Sequence, residues 1–460
     1  MENLIAQGRA LPAYAALPAT AASLLLIILA MRATPGRATK YVLFAIWLRF
    51  ILSAFHPYTF SNSPLGPTWN ALASLVICTL GLLVLRRRRI LDAGLIPFYL
   101  IFLAILTSGV INHRMPDTID MLIKYIYLAV LTLTTADALE ENGWEFTLSR
   151  MVIPFMVPFG FQALSVLLGV SKVTELDGSI SYIGGFAHEA GFSLSLAGGL
   201  LLVCLMRTSL TVWAKIGLVG LCFGGILLAN YRTAIVGLAP LIGASVLIGA
   251  VRMVVPRQRP LVVGLISLAV LGAGAGAAVL GENRFADIGT LVTRNTDLIH
   301  RVESYPEQDR HIMSGRPLIW SGYIYGYADS SPIQHMIGVG PNVWKDHFKV
   351  YAHNTLLSAL YELGLFGVVA MSFLWAWMLG LACAVRSSAR PMLIGAHLSF
   401  FILNMATMPM WMIEGMIYYG LLCGATLYYW QVARRHQPPG RASSSSPSSS
   451  IQPRCRPAPS

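Results

Sequence analysis

Charge is scarce in this sequence. Only 12% of its 460 residues are Asp, Glu, Lys or Arg, against about one quarter in a soluble domain. With 55% hydrophobic residues and a mean hydropathy of +0.63, a water-soluble globular chain is excluded. Cysteine is scarce too, and five of the six, Cys78, Cys204, Cys222, Cys383 and Cys423, fall in apolar runs while Cys455 lies in the tail. That pattern suggests neither a disulfide framework nor a thiolate metal site and leaves them as small core residues. Short alternating segments, which a transmembrane barrel needs, are missing. So are a phosphate-cradling loop, a His-Glu-x-x-His pair and a repeat of fixed period, which argues against a nucleotide-driven pump.

What is present is long apolar runs, enough to cross a bilayer as helices. We place them at roughly 12–31, 41–57, 69–85, 93–111, 119–136, 150–170, 189–206, 211–229, 234–252, 261–280, 355–384, 391–408 and 411–431. The expected fold is therefore an all-α, polytopic membrane bundle of about 12–13 spans. The first run contains Pro12 and Pro18 and reads as a span, an uncleaved signal-like segment or an interfacial helix; the alternative count of twelve omits it. The chain divides into a first bundle (1–280), a long polar loop (281–354), C-terminal helices (355–431) and a Ser/Pro-rich tail (432–460) whose composition predicts disorder.

Basic residues fall on alternate connections: Arg32, Arg37 and Lys40; Arg86 to Arg89; Arg207 and Lys215; Arg252, Arg257 and Arg259; Arg386 and Arg390; Arg434 and Arg435. The positive-inside rule makes these cytoplasmic, and the run at Arg86–Arg89 reads as a stop-transfer signal. Topology thus accounts for the net charge of +12 without nucleic acid. The loop 281–354 then lies outside the cytoplasm, its seven cations nearly cancelled by eight carboxylates.

Charges at membrane depth mark a pairing or a functional path. Asp120 and Lys124, four apart on one helix, read as a self-neutralising pair. Arg49 pairs inside the bundle or snorkels to the surface. Arg232, in "LLANYRTAIVGL", puts a permanent cation at the end that carries the long loop. In that loop "MSGRPLIWSGYIYGY" sets Arg316 before Trp320, Tyr323, Tyr325 and Tyr327, a combination suited equally to a sugar-phosphate site and to a membrane interface. The turn "IGVGPNVW", with Gly338 and Gly340, leads to "VYAHNTLLSALYELGLFG". If that stretch is one continuous helix, His353, Gly364 and Gly367 share a groove-forming face, and Asn354, Ser358 and Glu362 form a polar stripe beside it. His188, with Glu189, opens another span at the same end, as a substrate-binding or supporting residue or as a solvated helix start.

The pair His353-Asn354, nine residues, then Gly364-x-x-Gly367 resembles the signature of the O-antigen ligase and O-antigen polymerase superfamily of bacterial envelope proteins. "YRTA" at 231–234, "SGRPLIW" at 314–320 and "GVGP" at 338–341 stand in the same order, over roughly Gly184 to Leu422. The resemblance implies a GT-C-like glycosyltransferase of the inner membrane. It would work without cofactor or metal and transfer a glycan from undecaprenyl diphosphate, with inversion, on the periplasmic face. The acceptor would be lipid A-core for a ligase and a growing polysaccharide for a polymerase; membrane lipids and other polysaccharide assembly proteins are the further partners implied. By position Arg232 and Arg316 match the diphosphate-binding arginines and His353 the catalytic histidine. His188, Asn354, Trp320 and Glu362 are the expected substrate-binding residues, with Gly338, Gly340, Gly364 and Gly367 structural. A transporter of lipid-linked glycans is the competing class, but its polar groups would sit near the bilayer midplane.

Overall fold

The computed structural model describes residues 8–64, 68–86, 89–173, 180–206, 210–266, 268, 298–310 and 312–435. It is an all-α bundle whose only sheet among these residues is a two-stranded hairpin, Lys172–Val173 with Ile180–Ser181. In order the helices are α1 (Ala13–Arg32), α2 (Arg37–Ala54), α3 (His56–Thr59), α4 (Trp69–Val84), α5 (Ile96–Ile111), α6 (Met115–Asn142), α7 (Trp144–Met151), α8 (Met156–Leu167), α9 (Glu189–Leu205), α10 (Val212–Leu228), α11 (Arg232–Gly237) and α12 (Ala239–Met253). After the undescribed stretch follow α13 (Arg316–Ala328), α14 (Pro332–Ile337), α15 (Trp344–His347), α16 (Thr355–Ala384), α17 (Arg390–Ala406) and α18 (Ile413–Arg435).

Among the described residues five helical stretches are long and apolar enough to cross a membrane: Ala13–Arg32, Ala93–Ile111, Met115–Asn142, Trp144–Leu167 and Thr355–Ala384. Four shorter apolar helices accompany them, at Trp69–Val84, Glu189–Leu205, Trp213–Leu228 and Ala239–Arg252. The chain is a multi-pass membrane protein. Two expected spans are interrupted: 150–170 is α7 and α8 joined through a 3-10 turn that contains Pro154, and 234–252 steps at Leu238, before Pro240, between α11 and α12. Proline removes a backbone donor and ends the preceding helix. Most of the expected span 261–280, the loop up to residue 297 and the tail beyond Arg435 lie outside the described residues.

The bundle core is continuous. α6 packs along α18, α2 and α4; α5 packs on α16, α9 on α18 and α10, and α12 on α17. Of the intramembrane charges Arg49 is internal: it is 1% exposed, donates from Nη1 to Asn70 Oδ1 (3.0 Å) and lies over the Tyr127 ring at 5.1 Å, so it does not snorkel. Glu414 accepts from Ser53 Oγ at 2.6 Å. Lys124 Nζ meets Asp120 Oδ2 at 2.9 Å, the pair that the four-residue spacing suggests. Four of the described cysteines are buried, but Cys383 is exposed rather than in the core.

The basic end has its own tie. Arg89, expected only as part of a stop-transfer run, is buried and contacts Asp137 Oδ1 (2.9 Å), Glu140 Oε2 (2.6 Å) and the Gln431 side chain. This network holds the ends of α4, α6 and α18 together. A guanidinium with several fixed acceptors satisfies the charge that burial would otherwise penalise.

At the opposite end a smaller apolar cluster forms under the loop, from Tyr323, Val343, Ala352, Tyr361 and Met408. Three short helices, α13 to α15, wrap this cluster and carry the chain into α16.

Candidate functional site

His353 does not belong to α16. Asn354 is the N-cap: its Oδ1 accepts from Leu356 N (2.9 Å) and Leu357 N (3.2 Å), and its Nδ2 donates to Met405 O (3.3 Å). With its amide oxygen and one amide N–H engaged inside the protein, Asn354, expected at the substrate, caps the helix. His353 precedes it with φ of 52°, a left-handed conformation that costs a non-glycine residue about 1–3 kcal/mol and persists only where the surroundings enforce it.

Those surroundings come from α13. Trp320 Nε1 donates to Ala352 O at 3.0 Å and Tyr323 Oη to Val350 O at 3.2 Å, while the Tyr323 ring stacks on Phe348 at 4.2 Å. The indole N–H of Trp320, a residue expected to bind substrate, is therefore committed to the backbone immediately before His353. Tyr351 lies against the imidazole, with centroids 4.2 Å apart at 40°.

The same helix brings in the cation. Gly315 adopts φ of 74°, and this turn starts α13 at Arg316, whose Nη2 reaches Thr233 Oγ1 at 3.4 Å. Thr233 follows Arg232, the first residue of α11; the Arg232 side chain is outside the described part of the structure. Arg316 and His188 are both close enough to act on His353. Burial, then the Arg316 charge, then His188 push the His353 imidazole down to about 4. His188 stands at the N-cap of α9 and is likewise pushed down to about 4, by burial and then by Lys172. Burial also raises Tyr351 to about 12, against the lowering effect of Arg316. Three elements remote in sequence, the starts of α9, α13 and α16, thus converge on one electropositive, half-buried spot with two neutral imidazoles.

The glycines work differently from the expected groove. α16 is broken at Gly364 (φ 67°, ψ −165°), so His353, Gly364 and Gly367 do not share a continuous helical face. The break frees two carbonyls: Tyr361 O accepts from Val339 N (2.9 Å), and Glu362 O accepts from Gly340 N (3.1 Å) and Ser108 Oγ (2.7 Å). A Cβ on Gly364 would lie 2.4 Å from Gly338 N, and one on Gly338 2.2 Å from Glu362 C. These backbones touch, which only glycine permits. A Cβ on Gly340 (φ 126°) would lie 2.7 Å from Arg114 Cδ, and one on Gly367 would meet Leu363 Cβ at 2.2 Å.

Glu362 is fully enclosed at 0% exposure. Its Oε2 accepts from Asn342 N at 2.6 Å and its other oxygen from Ser358 Oγ. Glu362, expected at the substrate, therefore braces the turn after Gly340 with both carboxylate oxygens engaged inside the protein. Asn342, which nothing in the sequence singles out, continues the brace by donating to Asp120 Oδ2 at 3.1 Å. Lys172 and Glu189, ion-paired at 2.9 Å beside His188, were also missed as a pair; only the acidic residue after His188 marked the place.

Among the described residues no group of three or more His, Cys, Asp or Glu is placed to hold a metal ion. The arrangement supplies an uncharged imidazole on a rigid turn next to a guanidinium, which suits proton acceptance beside a developing anion.

Residues 210–372 match the family model described as O-antigen ligase. That stretch contains Arg232, Arg316, His353 and the Gly338–Gly364 contact but not His188. No curated protein matches the chain.

Proposed function

We propose, from the match of residues 210–372 to the family model described as O-antigen ligase, that this membrane protein takes a glycan from undecaprenyl diphosphate and delivers it to an acceptor hydroxyl at the end opposite its basic connections. On this reading that end faces the periplasm, and the membrane is the bacterial inner membrane. The observation that carries the proposal is the meeting of Arg316 and His353 at one spot, with Thr233 linking Arg316 to the segment that begins at Arg232.

In the reaction the acceptor oxygen forms a bond to the anomeric carbon while the bond from that carbon to the phosphate oxygen breaks. The diphosphate leaves with the bonding electrons, and the acceptor proton passes to His353. Arg316, with Arg232, neutralises the leaving group through charge-assisted hydrogen bonds. Attack opposite the departing phosphate inverts the anomeric centre.

The low affinity of His353 for protons has a role in this sequence. Burial and then the Arg316 charge keep the imidazole neutral, ready to accept, but weakly basic. A bound diphosphate offsets the Arg316 charge, so the imidazole becomes a better base when the donor is in place. Proton transfer is thereby coupled to occupancy by the donor.

The test uses full-length purified protein, lipid-linked donor, a chelator, and either lipid A-core or a second lipid-linked glycan as acceptor. Transfer with inverted configuration is expected with one of the two, and the productive acceptor distinguishes ligase from polymerase. Arg316→Lys keeps the charge but loses the planar fork and should transfer severely less at unchanged protein level. Full activity of Arg316→Lys would overturn the diphosphate clamp, and movement of intact donor across vesicles without transfer would favour a transporter.

A further inference from the structure

A groove of about 600 Å³ opens between α9, α10, α12 and α17 at the basic end of the bundle, within the about 300–1,000 Å³ usual for ligand pockets. It is separate from the site above, because α9, with its 17 residues, carries the chain about 25 Å from His188 to the groove. Its walls are mostly apolar and include Ile216, Val219 and Val246, of which Ile216 and Val246 are exposed at 55% and 52%. In a membrane such walls meet acyl chains.

One end of the groove is different. Lys215 gives two of its three N–H donors to Cys204 O (3.2 Å) and Met206 O (3.0 Å), at the C-terminus of α9, where a helix end favours a cation. Arg252 donates to Ser388 Oγ at 3.4 Å and is near enough to act electrostatically on Lys215. Among the described residues neither cation forms a salt bridge, although Glu145 is in electrostatic range of Lys215. Two neighbouring cations and a hydroxyl thus close one end of an apolar, lipid-facing channel.

We propose that this groove binds an anionic phospholipid, with its phosphate on Lys215, Arg252 and Ser388 and one acyl chain along Ile216, Val219 and Val246. Basic pockets between membrane helices on the cytoplasmic side are suited to such headgroups, because that leaflet is rich in anionic lipid. The positive-inside rule assigns this end of the bundle to that side.

The test is native mass spectrometry of the full-length protein, titrated with phosphatidylglycerol or phosphatidylcholine in detergent. One phosphatidylglycerol is expected to bind in preference to phosphatidylcholine, and K215Q/R252Q should weaken it by on the order of 30-fold, given the contribution of each basic residue near a lipid surface. A groove-filling V246W variant, which keeps both cations, should also release it; this variant serves alone if the charge variant does not fold. Equal binding of the two lipids would overturn the proposal. So would displacement by inorganic phosphate at equal concentration, or binding unchanged in either variant, which includes the case in which another segment of this chain fills the groove.

Discussion

Replacing Gly364 by alanine adds one methyl group at the point where α16 breaks. Two penalties can be worked out from the structure. The backbone there has φ 67° and ψ −165°, a region essentially confined to glycine, at about 1–3 kcal/mol for another residue. The new Cβ would also lie 2.4 Å from Gly338 N, 2.5 Å from Ile337 N and 2.5 Å from Met336 C. All three are backbone atoms that cannot rotate away, so overpacking adds about 1–3 kcal/mol. The expected loss is about 2–6 kcal/mol, a fall of at least roughly thirtyfold in the folded-to-unfolded ratio. Gly380 lies in the same helix, and a Cβ there would meet nothing within 4 Å, so Gly380→Ala serves as the control and should be neutral or stabilise by up to about 1 kcal/mol. Reversible unfolding of both purified variants in mixed micelles gives the comparison. Protein that survives Gly364→Ala should also transfer poorly, because the hydrogen bonds from Val339 and Gly340 to the broken turn align the chain leading to His353. Stability of Gly364→Ala within about 0.5 kcal/mol of the control would refute the reasoning, since it would mean that the backbone contact is not maintained in the protein.

Further outcomes follow from other parts of the molecule. His353→Ala should bind lipid-linked donor normally but transfer about 10²–10⁴-fold more slowly; wild-type turnover would remove the proton-acceptor role. His188 and His353 have folded values near 4 against an ordinary 6.5, so the unfolded chain takes up protons first as pH falls. Their contribution to stability is complete above pH 6.5 and is lost between 6.5 and about 4. Thermal unfolding across that window should therefore be less pH-dependent in a His188→Gln/His353→Gln variant, and an unchanged slope would refute the assignment. Asp137→Asn leaves the buried Arg89 without one of its ionic partners and should destabilise the protein by about 3 kcal/mol, read as a lower midpoint of unfolding; no change would mean that Glu140 and Gln431 suffice.

Some of this was legible along the chain. The expected spans that fall among the described residues are helical, though three are interrupted, at Pro154, Leu238 and Gly364, because hydropathy over a window of residues is a local sum that needs no knowledge of neighbours. The Asp120–Lys124 pair was legible for the same reason, since four residues is one helical turn. Arg316 and His353 stood out because a polar residue beside an apolar run is conspicuous wherever it ends up.

Other features depended on which segments meet. Glu362 and Asn354 looked available for substrate, yet their hydrogen-bonding capacity is used by Asn342, Ser358, Met405 and the first turn of α16. Gly364 carried the same letter as any helix-packing glycine, and only the approach of residues 336–340 turned it into a break. The Arg89–Gln431 contact spans 342 positions, beyond any periodicity. Sequence alone determined the solvent, the helices and the residue types able to do the chemistry, because these follow from composition and local spacing. Tertiary structure decided which polar groups remain open to a substrate, because a side chain's last hydrogen bond is set by the segment packed against it.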